Sequence, residues 1–203
     1  MTRSQLAWLK AGVIVAGLVP LVQLTARAFG FGSLGANPVQ LLQQTLGITA
    51  LNLLLITLAI TPLRRLTGRN WLVQLRRSVG LLAFFYALLH ALSYAALDLR
   101  FDWPRLATDV VERPWITVGF AALLLLVPLA VTSTNGMQRR LGRRWKTLHR
   151  SVYAIGTLGV LHFFWQVKLD TREPLVYATM LLVLLGFRLV DTVRRRVRRR
   201  AAQ

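Results

Sequence analysis

The sequence contains no cysteine, and only three of its 203 residues are histidines. The absence of cysteine excludes disulfides, cysteine-ligated iron–sulfur clusters, thiolate ligation of haem and covalent haem attachment through a CxxCH motif. Acidic residues are also scarce, with seven against 26 lysines and arginines. The sequence shows no Ser–His–Asp set and no His/Glu zinc spacing, so it offers no hydrolytic site and no catalytic residues of its own.

The apolar content is high, at 55% hydrophobic residues with a mean hydropathy of +0.50. This composition favours a single membrane domain over residues 1–203 rather than a soluble one. The net charge of +19 would suggest nucleic acid if composition alone were considered. Because the basic residues flank apolar segments, we predict contact with membrane lipid and no binding of nucleic acid.

Six apolar segments approach the ~20 residues that span a bilayer, which predicts an all-α integral membrane bundle of six helices. The first has the basic start of a signal peptide but no convincing cleavage site, and we interpret it as a retained helix. The predicted spans are Leu6–Ala26, Leu46–Leu63, Val79–Leu97, Trp115–Thr132, Leu148–Gln166 and Leu175–Val190.

Arginine is concentrated in alternate connections. Five arginines lie in residues 64–77, four arginines and a lysine in residues 133–147, and seven arginines in residues 188–200. Six of the seven acidic residues lie in the intervening loops. The positive-inside rule therefore predicts that both termini are cytoplasmic, with residues 191–203 as a basic cytoplasmic tail. The outer face would be built from the loops Leu97–Trp115 and Val167–Glu173.

His90 and His162 are predicted to lie inside the bilayer, where a titratable side chain is costly and usually functional. His90 lies roughly 21 Å beyond Arg76 along its helix, and His162 lies roughly 20 Å beyond His149. Both helices are predicted to run outward from the cytoplasm, so the two imidazoles reach similar depth. This arrangement is typical of two axial ligands to one haem iron. The alternative is two unrelated histidines that bond to backbone.

His149 is predicted at the cytoplasmic end, where the third helix offers arginine instead of a second histidine. Thirteen residues separate His149 from His162, so the two would not share a face of a straight helix. Ligation of a second haem by His149 therefore needs tilt or distortion, a different partner ligand, or five-coordination. The alternative is an interfacial side chain, or a hydrogen-bond donor to a quinone or flavin.

Basic side chains surround the predicted position of His149, and arginine forks suit propionate or phosphate oxygens. We select Arg77, Arg144 and Arg150 as candidate cofactor contacts.

Gly156 and Gly159 precede His162 by one to two turns. Such small residues leave room for a macrocycle, but they also allow membrane helices to pack closely.

The segment VTSTNGMQRRLGRRWKTLHRSVYAIG, together with RRSVGLLAFFYALLHALSY and the six-span layout, resembles the MsrQ (YedZ) family. More distantly, the chain is similar to the transmembrane part of ferric reductases. The resemblance implies haem b and FMN, a bacterial inner-membrane location, and electrons from the quinone pool or a flavin reductase. It also implies delivery of those electrons to a periplasmic molybdopterin-dependent subunit that reduces methionine sulfoxide in proteins.

The family histidines correspond to His90, His149 and His162. Compared with ferric reductases, the chain lacks a second histidine on the third helix, so the resemblance supports one haem b more directly than two. No Gly-rich dinucleotide loop follows the last span, and oxidation of NADPH by this chain alone is not expected. Two alternatives stay open: a stand-alone reductase of ferric iron or another small acceptor, and a non-redox membrane anchor.

Overall fold

A computed structural model describes residues 1–167 and 170–201, without side-chain detail at 195, 196, 198 and 199. The described residues form helices and turns without strands, which confirms the all-α prediction. The helices are α1 (Arg3–Ala28), α2 (Pro38–Thr67), α3 (Arg76–Ser93), α4 (Trp103–Glu112), α5 (Pro114–Val131), α6 (Asn135–Leu141), α7 (Arg143–Leu148), α8 (Val152–Gln166) and α9 (Arg172–Arg200).

Local sequence signals account for many of the helix ends. Thr2 and Gln5 form a capping box at the start of α1, and Asn37 caps α2 just before Pro38. A proline at the first helical position costs no hydrogen bond, because that N–H has no partner within the helix. Gly68 ends α2 in the left-handed conformation, with φ of 70°, which glycine adopts without steric cost.

Five segments are long and apolar enough to cross a membrane by length and composition: Arg3–Ala28, Pro38–Thr67, Asn70–Asp98, Pro114–Val131 and Arg172–Arg194. The third consists of α3 with a 3₁₀ turn before it and a π-helical turn after it. The predicted span Leu148–Gln166 corresponds to α8, which has only 15 residues. A 3₁₀ turn, His149–Ser151, joins α8 to α7, so the helical path continues towards the basic loop.

The loop Leu97–Trp115, which was predicted to face outward, contains the short helix α4, which was not predicted from the sequence. Asp102 caps α4, and Pro104 lies in its first turn. The other predicted outer loop, Val167–Glu173, includes Lys168 and Leu169, which lie outside the described residues. Within the predicted tail, α9 continues to Arg200, while Ala202 and Gln203 also lie outside the described residues.

The core lies between α2, α3, α5 and α8, where Tyr86 is fully buried and Ala83 and Ile155 are almost so. Helices α1 and α9, at the periphery of the bundle, instead expose apolar side chains such as Val15 and Leu182. A soluble protein would bury such surfaces, whereas lipid-facing helices expose them. Packing and exposure therefore agree with a multi-pass membrane protein.

Tyr86 joins α3 to α1 beside Pro20. Its hydroxyl donates to the carbonyl of Gly17 at 2.7 Å and accepts from the N–H of Leu21 at 3.3 Å. A proline inside a helix removes a backbone hydrogen bond, and a neighbouring helix commonly provides the polar partner that compensates. Tyr86 therefore holds α1 against the core where the helix is weakest.

Removing this hydroxyl should destabilise the bundle measurably. We expect Tyr86→Phe to cost about 1–2 kcal/mol, because two backbone groups lose a buried partner. The measurement is the thermal unfolding midpoint in detergent, which should fall by several degrees. Tyr177→Phe is the control, since it removes an exposed hydroxyl bonded to Asn52. Equal midpoints for both variants would show that the Tyr86 hydroxyl stabilises the bundle no more than the exposed Tyr177 hydroxyl does.

Candidate functional site

His90 on α3 and His162 on α8 lie next to each other inside the bundle. Their ring centres are 6.0 Å apart, and their ring planes make an angle of 73°. Two imidazoles that bind one metal ion from opposite sides, each at ~2 Å, have ring centres roughly 6 Å apart. The structure thus brings together the two histidines that the depth argument paired, at a spacing that suits one metal between them.

Each of these rings is held by a backbone carbonyl through Nδ1. The distance is 3.1 Å from His90 Nδ1 to the oxygen of Gln43, and 2.7 Å from His162 Nδ1 to that of Trp115. A carbonyl oxygen can only accept, so each Nδ1 carries the proton and donates it. Nε2 of each ring is then the unprotonated nitrogen, which is the form that binds a metal.

A glycine lies against each ring, four residues after the carbonyl that holds it. A Cβ placed on Gly119 would lie 2.7 Å from His162 Nδ1, and one on Gly47 would lie 3.2 Å from His90 Cε1. Both distances are shorter than ordinary van der Waals contact. Any larger residue at Gly119 would therefore displace the ring, and at Gly47 the ring would have to give by a few tenths of an ångström.

The two halves of the site repeat the same arrangement. The residue that supplies the carbonyl precedes its histidine by 47 positions in both halves. In each half a helix that begins near the carbonyl, α2 or α5, packs most extensively on the histidine helix, α3 or α8. Two similar helix pairs therefore present one imidazole each to a common centre.

Gly47, Gly119 and the carbonyls of Gln43 and Trp115 were not predicted from the sequence. The glycines considered there were Gly156 and Gly159. In the structure Gly156 lies against Leu181 and Leu58, and Gly159 lies against Leu51. They serve close helix packing. The signal that could have found the correct pair is the matching offset between glycine and histidine in the two halves.

A polar network lies between the His90–His162 pair and α4. The Gln43 side chain bonds to Asp98, and the hydroxyl of Tyr94, one turn after His90, donates to Asp109 at 2.5 Å. Asp109 is 5% exposed and is also paired with Arg113 at 3.0 Å. This network fixes α4 over the end of α3, where the chain forms a π-helical turn. Such turns occur frequently at functional sites.

His149 lies apart from the pair, in contact with the end of α5. Its Nε2 is 3.0 Å from Thr132 Oγ1, and its ring stacks on Trp145 with centres 4.0 Å apart. Thr132 donates its own proton to the carbonyl of Pro128 at 2.5 Å, so His149 Nε2 must be the donor to Thr132. The nitrogen left with a free lone pair is Nδ1, so a ligand role for His149 would use that atom.

The 3₁₀ turn His149–Ser151 changes the rotation of His149 about the helix axis relative to His162. His149 bonds to Thr132, the residue that follows α5, and His162 bonds to Trp115 in α5. A distortion of this kind was predicted to be one way in which His149 could ligate a second haem. The contacts to Thr132 and Trp145 agree with the alternative of an interfacial histidine, whereas a ligand role stays a prediction.

Within the described part of the chain, the three predicted arginines share no hydrogen-bond partner. Arg77 donates to the Asn135 side chain at 3.2 Å. The side chains of Arg144 and Arg150 are exposed, and neither side chain makes a hydrogen bond or an ion pair within the described part of the chain. Their roles as propionate or phosphate contacts stay predictions.

Comparison with known proteins places the site in a family. Residues 46–160 match the family described as "Ferric reductase like transmembrane component", a segment that contains His90 and His149 and ends two residues before His162. The chain is 54% identical over 188 residues to the protein-methionine-sulfoxide reductase haem-binding subunit MsrQ of Rhodospirillum rubrum, covering 92% of this chain and 90% of that protein. It is 49% identical over 159 residues to the same subunit of Xanthomonas oryzae, covering 78% and 73%.

Proposed function

Because the chain belongs to the family of MsrQ haem-binding subunits, we propose that it is the b-type cytochrome of a protein-methionine-sulfoxide reductase system. In this proposal it passes electrons from the quinone pool, or from a cytoplasmic flavin reductase, across the bacterial inner membrane. The acceptor is a periplasmic molybdopterin-dependent subunit that reduces methionine sulfoxide in proteins. The observation that carries the proposal is the 6.0 Å spacing of the His90 and His162 rings.

The proposal includes six spans with both termini in the cytoplasm, and α8 is the short one. Its 15 residues are roughly 22 Å long, less than the ~30 Å hydrocarbon core. The turn His149–Ser151 and α7 lengthen the helical path before α8. The arginines of residues 133–147 support a cytoplasmic position for this end of the path. Acidic residues at the opposite end support an outer face that includes α4.

In the mechanism, His90 and His162 would hold one haem b through their Nε2 atoms. The bound haem supplies one-electron chemistry, and the protein sets its potential through ligand identity and burial. The Gln43 and Trp115 carbonyls orient the two rings and keep Nδ1 protonated. The apolar side chains of α2, α3 and α5 exclude water from the pair. A second haem, or FMN, would lie at the basic end, near His149, Arg77, Arg144 and Arg150.

The test of this function is electron transfer in proteoliposomes that contain the purified chain. We expect a quinol to reduce the haem, and we expect reoxidation only when the periplasmic reductase and a methionine-sulfoxide protein are added together. Reoxidation by ferric citrate alone, at a comparable rate, would favour the small-acceptor reductase that the ferric-reductase-like match suggests. A protein that stays colourless after haem supplementation would leave only the membrane anchor.

A further inference from the structure

At the basic end of the bundle two arginines meet, and no acidic partner for them occurs among the described residues. Arg76, the first residue of α3, and Arg188, on α9, both donate to the hydroxyl oxygen of Thr61 on α2. Arg188 also bonds to the hydroxyl of Tyr153, with its Cζ atom 4.9 Å from the centre of that ring. Four helices thus place two guanidinium groups and two hydroxyls at one half-buried point.

Part of this cluster has a purely structural explanation. Pro62 lies inside α2 and has no N–H, so the carbonyl of Leu58 lacks its helical partner. Arg188 Nη2 donates to that carbonyl at 3.3 Å. Repair of the proline step therefore accounts for one contact of Arg188, but it neutralises neither charge and does not involve Arg76.

Arg76 is the residue that the fold leaves uncompensated. Its Nε is buried and has no hydrogen-bond partner within the described part of the chain. The ion pairs there are Arg65–Asp191 and Arg113–Asp109, so Asp191, one turn after Arg188, is engaged by another arginine. Two like charges at a half-buried site are unfavourable unless an anion compensates them.

We propose that Arg76 and Arg188, with the hydroxyls of Thr61 and Tyr153, form a binding site for a phosphate oxyanion at the cytoplasmic membrane surface. Guanidinium forks match phosphate geometry, and hydroxyls supply further hydrogen bonds. The phosphate belongs either to an anionic phospholipid headgroup or to a free phosphate ion. The site is separate from the His90–His162 pair, so it stands whether or not that pair binds haem.

Binding of each probe to full-length, delipidated protein in detergent tests this site. Phosphatidylglycerol and inorganic phosphate are titrated separately, and native mass spectrometry counts the bound molecules. We expect one of the two to bind, with affinity reduced roughly tenfold or more in Arg76→Gln and in Arg188→Gln, because each loses a charge-assisted hydrogen bond. Binding of phosphatidylglycerol identifies a lipid site, and binding of inorganic phosphate identifies a site for a soluble phosphate.

Arg140→Gln is the matched control, since Arg140 is exposed on α6 and the substitution removes the same charge. Arg76→Gln carries the test if Arg188→Gln fails to give a monodisperse protein, because Arg188 also supports α2. The proposal is overturned if neither probe binds the unmodified protein. It is equally overturned if Arg140→Gln weakens binding as much as Arg76→Gln does.

Discussion

Alanine in place of His90 or His162 is expected to abolish the low-spin haem spectrum, whereas His149→Ala should retain it. Removal of either imidazole leaves the iron with one axial ligand, and the remaining ring alone no longer gives a six-coordinate centre. His149 contacts Thr132 and Trp145 and lies in the 3₁₀ turn that precedes α8, so its loss leaves the pair intact. The measurement is the reduced-minus-oxidised absorption spectrum, with haem quantified per chain.

His149→Ala is the matched control, because it is the same chemical change on the same helical path. A full low-spin spectrum in the His162 variant would show that this residue is not a ligand. Loss of the entire spectrum in His149→Ala would move the site to the basic end. A loss of half the haem there would instead indicate a second haem near His149.

Gly119→Ala is expected to remove most of the bound haem without any change to a ligand. The added methyl would lie 2.7 Å from His162 Nδ1, and that nitrogen is already held at 2.7 Å by the Trp115 carbonyl. The ring cannot keep this hydrogen bond and avoid the methyl, so it must rotate away from its partner. Haem content and the fraction of low-spin iron, measured on purified protein, should both fall severalfold.

Two other glycines calibrate this effect. Gly47→Ala should give a smaller loss, because its methyl would lie 3.2 Å from the His90 ring. Gly80→Ala should keep the full haem content, since its methyl would lie 3.8 Å from Thr57, which is ordinary contact. An equal loss in Gly80→Ala would attribute the effect to helix packing in general and would contradict a specific role for Gly119.

The position of each histidine along its helix was predictable, because the rise per residue is fixed and the flanking arginines mark the basic end of the helix. Counting from Arg76 and from His149 was enough to pair His90 with His162. The five long apolar helices were predictable for the same reason, since a span of hydrocarbon needs a fixed number of apolar residues.

Contacts between helices were not predictable in this way. The positions of Gly47 and Gly119 against the rings depend on the rotation of α2 and α5, which hydropathy does not specify. The meeting of Arg76 and Arg188 joins residues more than a hundred positions apart. Helix α4 was missed because ten residues rich in charge, in a loop, carry no spanning signal, although Asp102 and Pro104 mark its start.

The most direct test of the central claim is the electron paramagnetic resonance spectrum of the oxidised, unmodified protein, with the haem-to-chain ratio measured on the same sample. Imidazole planes at 73° leave two iron d orbitals nearly degenerate, because each ring interacts with a different one. We expect a strongly anisotropic low-spin signal from at least one haem per chain. A high-spin signal alone, or a low-spin signal typical of parallel imidazoles, would contradict the claim that His90 and His162 bind the same iron in this geometry.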